Sequence, residues 1–130
     1  MMVGSCHCGK ISIHVAKRPD YLNDCNCSLC SKLGVIWGYV DAADVQIDGE
    51  TGSYTRHDRD KPGVRVHFCA QCGCTSHWSP MPHIPQDRMG INVRLFAASD
   101  LTGLVLHYPD GAGWDGMTPY GFRQESTVMP

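Results

Sequence analysis

The sequence predicts a mostly β fold, built from small sheets with turns between them and much coil. Two observations carry that prediction. Short apolar runs alternate at period two, as half-buried strands do, and 14 glycines and 8 prolines punctuate the chain between them. Eight cysteines fall mainly into three groups: Cys6 and Cys8 as C-x-C, Cys25, Cys27 and Cys30 as C-x-C-x-x-C, and Cys69 and Cys72 as C-x-x-C, with Cys74 left over. Zinc takes thiolate sulfur tetrahedrally at about 2.3 Å, which such spacings allow, so metal is expected to stabilise the domain.

A chain of 130 residues with no repeat, linker or low-complexity segment reads as one domain spanning residues 1–130, long enough to own a core. Charged residues make up 18%, the formal net charge is -2, and lysines and arginines are scattered singly. No basic stripe offers itself to nucleic acid. The first residues, MMVGSCHCGK, contain neither a basic leader nor an apolar run, and no window approaches the length of a membrane span. The expectation is a cytoplasmic protein with neither nucleic acid nor membrane as partner. In a reducing compartment its cysteines read as metal ligands rather than disulfides.

Taken in order, GSCHCGK is a zinc-knuckle signature, with Gly9 free to turn the backbone through positive φ so that amides point at sulfur. Ile11 to Val15 alternates as a strand with Ile11, Ile13 and Val15 inward and His14 outward. Lys17 to Asp20, with Pro19, reads as a turn or irregular link into Tyr21 and the cysteine loop. SKLG reads as the end of a short helical turn stopped by Gly34. Val35 to Val40 is β-prone, with Trp37 and Tyr39 on one face where they can wall a pocket beside the cysteine triplet. Short strands follow at Val45 to Ile47 and in SYTRHD, then a polar loop.

Val64 to Phe68 alternates into CAQCGC, the second knuckle, with Gly73 directly after Cys72. Paired with the first knuckle it supplies four thiolates, Cys6, Cys8, Cys69 and Cys72, for a closed structural zinc. Thr75 to Trp78 continues as strand, and Pro80 to Gln86 is a loop that cannot pair in a sheet. Met89 to Phe96 reads as a strand in which Ile91, Val93 and Leu95 alternate with Asn92 and Arg94, the two polar residues sharing a face. ASDLTG turns the chain into LVLHY. The end of the chain reads as an ordered coil pinned by Trp114 and Tyr120, with a loose terminus.

The triplet differs from the knuckles. Cys25 and Cys27 fall on the same side of an extended segment, and one turn brings Cys30 beneath them. Three ligands leave one tetrahedral corner free, and a free corner is the mark of a catalytic zinc. Seven cysteines therefore divide into two zinc ions per chain. A disulfide half-framework, a metal-free redox cluster and a site closed by Cys74 stand as alternatives; neighbours two residues apart rarely satisfy disulfide geometry. Cys74 can equally be a small buried residue or a nearby reactive thiol.

GSCHCG at Gly4 to Gly9, CNCSLC at Cys25 to Cys30, FCAQCG at Phe68 to Gly73 and NVRLF at Asn92 to Phe96 together resemble the glutathione-dependent formaldehyde-activating enzyme family, also called the centromere-protein-V-like family. The resemblance spans about residues 4–106. It implies small sheets around zinc, with Cys6, Cys8, Cys69 and Cys72 on a structural ion and Cys25, Cys27 and Cys30 on a catalytic one. It also implies addition of glutathione to formaldehyde, giving S-hydroxymethylglutathione. Many members resembling this pattern have a hydroxyl or other small residue where this chain has Cys74.

A three-thiolate zinc is electron-rich and suits the activation of a thiol, since coordination lowers the thiol pKa and the thiolate attacks an aldehyde carbon. The expected function is that of a carbon-sulfur lyase, with glutathione or another thiol and a small aldehyde such as formaldehyde as substrates. Lys32, Arg56 and Arg94 are the cations available to the carboxylates of such a thiol. Two alternatives remain: an interaction module with both zincs closed, or a different lyase or hydrolase reaction at the same zinc.

Overall fold

The computed structural model describes residues 1–119 and 121–130. Strand accounts for 38% and helix for 12%, in two sheets, so the mostly β expectation holds. The elements run β1 (Met2–Ser5), β2 (Ser12–Val15), β3 (Tyr21–Asn23), α1 (Ser28–Leu33), β4 (Trp37–Asp41), β5 (Val45–Asp48), β6 (Thr51–Thr55), β7 (Val64–Cys69), β8 (Thr75–Pro80), β9 (Arg88–Asn92), α2 (Ala98–Leu101), β10 (Val105–His107) and β11 (Thr127–Val128). The smaller sheet is antiparallel, in the order β1-β2-β5. The larger has eight strands in the order β11-β10-β3-β4-β9-β8-β7-β6, antiparallel except where β10 lies parallel to β3.

Period-two alternation decides what each sheet face carries. Ile11, Ile13 and Val15 are fully buried, as their pattern predicts, and they pack with Leu22, Val40, Met89, Ile91 and Leu106 of the larger sheet. Burying each of these side chains is worth roughly 1.5–3 kcal/mol, so this shared layer is what holds the two sheets together. The intervening residues of β3 and β4, Tyr21, Asn23, Trp37 and Tyr39, point the other way and line a cavity. Gly90 on β9 leaves room there for the Trp78 indole, whose Nε1 would otherwise lie 1.9 Å from a Cβ.

Both knuckles are tips of hairpins. Gly9 and Gly73 each adopt a φ of 82°, the left-handed region open to glycine, where β1 turns into β2 and β7 into β8. Each tip thus brings its two cysteines back over its own strands.

Several elements depart from expectation. The strand predicted over Met89 to Phe96 stops at Asn92, and Val93–Leu95 forms a 3-10 turn. The Asn92 side chain causes this break: its oxygen accepts the Arg94 amide at 3.2 Å, and its nitrogen donates to the Thr75 carbonyl at 2.9 Å. Asn92 is consequently buried while Arg94 is exposed, and the two share no face. Lys17 to Asp20 is the irregular link expected, and it leads into Tyr21–Asn23, a strand with no counterpart in the sequence reading, paired on both sides, with β4 and β10. The terminus is not loose, because β11 pairs with β10 and Met129 and Leu104 are joined by a backbone bond of 2.9 Å. Tyr120, expected as a pin for this segment, lies outside the described residues.

Candidate functional site

The four knuckle sulfurs, of Cys6, Cys8, Cys69 and Cys72, lie within 4.8 Å of one another. The Cys8 and Cys69 sulfurs approach to 3.6 Å across 61 positions of sequence. Backbone amides prepare these atoms to carry charge: Ile11 donates to the Cys6 sulfur at 3.2 Å, and Gln71 and Cys72 donate to that of Cys69 at 3.4 Å. Amides, led by that of Cys74, draw the Cys72 thiol down to about 5. Cys74 itself stands here, against Cys72 and the core under the knuckles, rather than beside the triplet. It does not supply the triplet's fourth ligand.

Cys25, Cys27 and Cys30 form the second group, again with sulfurs within 4.8 Å of one another, at the point where β3 gives way to α1. Cys27 is the N-cap of α1, and its sulfur accepts the Cys30 amide at 3.3 Å, so one side chain both starts the helix and faces its neighbours. Gly34, at φ 68°, ends the helix by returning its amide to the Cys30 carbonyl. The Cys27 amide donates to the Cys25 sulfur at 3.4 Å, and the Trp37 indole donates to the Cys30 sulfur at 3.4 Å. Hydrogen bonds from the Cys25 and Cys30 thiols hold the Cys27 pKa well below the ordinary thiol value, and the same contacts push Cys30 up. Two clusters of mutually close, amide-supported thiols match the soft, charge-neutralising donor set that zinc takes.

The triplet opens onto a cavity of about 500 Å³. Tyr21, Trp37, Tyr39, Trp78 and Trp114 give it an aromatic wall, and Arg56, Arg59 and Arg88 supply cations. Burial raises the Tyr39 pKa, so its hydroxyl stays protonated, and that oxygen accepts the Asn23 side-chain amide at 3.1 Å. The Arg56 guanidinium is fastened to Asp58 at 2.7 Å and also reaches the Ser28 hydroxyl at 3.1 Å, beside Cys27. Arg88 lies over the Tyr39 ring at 5.3 Å. Of the three cations singled out in the sequence, Arg56 lines this cavity, while Lys32 and Arg94 are exposed and do not.

A family model described as glutathione-dependent formaldehyde-activating enzyme matches residues 1–102. The chain belongs to this family. A Halomonas elongata protein named for the same activity is 33% identical over 100 residues, covering 66% of this chain and 60% of its own length. This chain therefore spans about 60% of that relative. The crystal structure of a Rhodobacter sphaeroides protein superposes with a TM-score of 0.61 at 26% identity, covering 79% of this chain and 97% of that one.

As a formaldehyde-activating-enzyme family member, the chain has its cysteine motifs inside the matched part, whereas Gly111 and Trp114 of the cavity wall follow it. The sequence pointed to Trp114 only as a pin for the terminal coil, and did not point to Arg59, Arg88 or Gly111. Arg59 sits in a loop whose mixed charges read as a solvated tip, and the other three meet the triplet only through folding. No helix of the described residues is long and apolar enough to cross a membrane.

Proposed function

We propose that this protein is a zinc-dependent enzyme of carbon-sulfur lyase type. It adds glutathione or a similar thiol to a small aldehyde such as formaldehyde, or releases it. The observation that carries this reading is the contrast in surroundings: the three-cysteine group faces a cavity of about 500 Å³, and among the described residues no fourth side chain joins it as a ligand. Cys25, Cys27 and Cys30 would hold the catalytic ion, and Cys6, Cys8, Cys69 and Cys72 a structural one.

Zinc bound by the triplet would offer a remaining position to a thiol and favour its thiolate near neutral pH. In the reaction a sulfur electron pair forms the C–S bond at the carbonyl carbon, and the C=O π pair moves to oxygen. That oxygen takes up a proton, replacing the one the thiol lost. The Tyr39 hydroxyl lines the cavity and, with its oxygen accepting from Asn23, has its O–H available to hydrogen-bond the aldehyde oxygen as it gains charge, while the proton itself is the one the thiol gives up. Arg59 and Arg88 give the cavity cations for the carboxylates of the thiol, and Arg56 adds a guanidinium whose charge is already shared with Asp58.

The test uses zinc-loaded protein, formaldehyde and a panel of thiols: glutathione, cysteine and a thiol without carboxylates. Exchange NMR then measures interconversion of the free aldehyde and its S-hydroxymethyl adduct. Catalysed exchange with the carboxylate-bearing thiols is expected. If no thiol exchanges faster than in buffer, the enzyme reading is wrong.

A further inference from the structure

Three consecutive residues of the cysteine loop are held by a segment that lies beyond the family match. Asp24 is held by Arg123, whose guanidinium donates to the Asp24 carbonyl and pairs with its carboxylate at 3.3 Å. Asn26 is held twice: its nitrogen donates to the Asp110 carboxylate at 2.9 Å, and its oxygen accepts the Ala112 amide at 2.9 Å. Cys25, between them, packs on Gly111 so closely that a Cβ there would lie 2.5 Å from its sulfur and 3.0 Å from the Cys27 Cβ. Non-bonded carbon atoms settle at about 3.5–4.0 Å, so even a methyl group would drive the sulfur aside.

The segment that makes these contacts has its own anchorage. Asp110 and Gly121 are joined by a backbone bond of 2.8 Å, Arg123 and Tyr108 by one of 3.0 Å, and the Arg123 guanidinium lies over the Tyr108 ring at 5.3 Å. A segment tied down at both ends presents Gly111 to Cys25 from a fixed position. It also brings Trp114 into the cavity wall.

We propose that residues 109–114 and 121–123 are a built part of the triplet site, and that Gly111, Asp110 and Arg123 position the Cys25 sulfur for sharing one metal ion with Cys27 and Cys30. The inference rests on the reading of the triplet as a metal site. Its consequence is that residues outside the family's matched region set the coordination geometry in this chain. A thiolate ligand sits at about 2.3 Å from zinc, so displacing one sulfur by an ångström removes it from the tetrahedron.

The test compares full-length wild type and Gly111→Ala after reconstitution with cobalt(II). Wild type should bind two ions per chain. Gly111→Ala should keep its far-ultraviolet circular dichroism, fall toward one ion, and lose the thiolate-to-cobalt absorption belonging to the second. Two ions with an unchanged spectrum in Gly111→Ala would overturn the inference. Wild type binding one ion would instead overturn the metal reading. Packing is then tested without metal, by mass-spectrometric mapping of alkylation: Cys25 should react at least several-fold faster in Gly111→Ala, and an equal rate sinks the positioning role. Should Gly111→Ala not fold, Arg123→Gln takes its place, with several-fold faster chelator-driven release of one metal expected and an unchanged rate counting against the proposal.

Discussion

The two cysteine clusters use the same donor atoms and the same amide-to-sulfur bonds, yet they are assembled in opposite ways. The knuckle cluster takes two cysteines from the tip of each of two hairpins, bringing the smaller sheet to the larger across more than sixty positions. The triplet draws its three cysteines from six consecutive residues, 25 to 30, and faces a cavity. A metal that closes a long loop takes over part of the work of folding, whereas a metal held by one loop leaves the rest of the fold independent of it. The difference teaches where each cluster's failure should be felt.

The largest expected effect is therefore at Cys69. Its sulfur is buried among Cys6, Cys8 and Cys72, and a structural zinc contributes apparent binding energy of about 10–16 kcal/mol, as large as the entire net stability of a typical domain. Cys69→Ser should give unfolded or insoluble protein. A Cys69→Ser chain that stays soluble with native circular dichroism would show that the small hydrophobic layer suffices alone.

Cys27→Ser is expected to do less to the fold and more to the chemistry. The serine hydroxyl can still cap α1 by accepting the Cys30 amide, so the helix start survives. Zinc content should fall from two ions toward one, with thiol-dependent exchange abolished. If this variant unfolds as badly as Cys69→Ser, the triplet is structural and the contrast between the clusters collapses.

That contrast was largely legible in the sequence because ligand spacing is local information. C-x-C-G, C-x-x-C-G and C-x-C-x-x-C each occupy a single turn, and the turns are where the residues place them. What escaped was decided by distant contacts. Asn92 alternates as an outward residue would, but the Thr75 carbonyl satisfies its amide in the interior and the strand ends there. Tyr21–Asn23 is only three residues long and follows a proline-bearing link, so its pairing with β10 could not be read locally. Gly111 looks like one glycine among many until the fold sets it against Cys25, 86 positions earlier.

A third difference concerns pH. On the face of the larger sheet away from the cavity, His67 and His77 stack with centroids 4.2 Å apart and planes 3° from parallel. His67 bonds the Ser79 hydroxyl and His77 that of Ser76. Burial, with His67 close by, pushes His77 down to about 3, against an ordinary value near 6.5. Between those values the unfolded chain binds a proton that the folded chain refuses, so this contribution to stability is complete above about pH 6.5 and shrinks as pH falls toward 3. The slope approaches about 1.4 kcal/mol per pH unit for one group. Urea midpoints measured from pH 7.5 down to 5 should fall less steeply in His77→Gln than in wild type; parallel curves would remove His77 from the account. Loss of metal in acid affects both chains, and the comparison cancels it.

The smallest effect sharpens the comparison from the triplet's side. The Cys30 sulfur accepts a side-chain donor, the Trp37 indole at 3.4 Å, in addition to the backbone bonds around it. Such a bond withdraws charge from the thiolate, making it a weaker donor to its metal, and it also fixes the direction of the sulfur's lone pairs. Trp37→Phe keeps an aromatic ring in the wall and removes the N–H. Outer hydrogen bonds of this kind change metal affinity by about 10–100-fold, and this long one should fall at the lower end. The two consequences can be separated: loss of charge withdrawal shifts the thiolate-to-cobalt absorption to lower energy, whereas loss of orientation speeds metal release. Trp78→Phe is the control, since it trims an indole in the same wall that is not bonded to a cysteine sulfur, and it should leave the absorption unmoved. If both variants shift the band equally, the effect belongs to packing around the cavity and the indole has no special claim on Cys30.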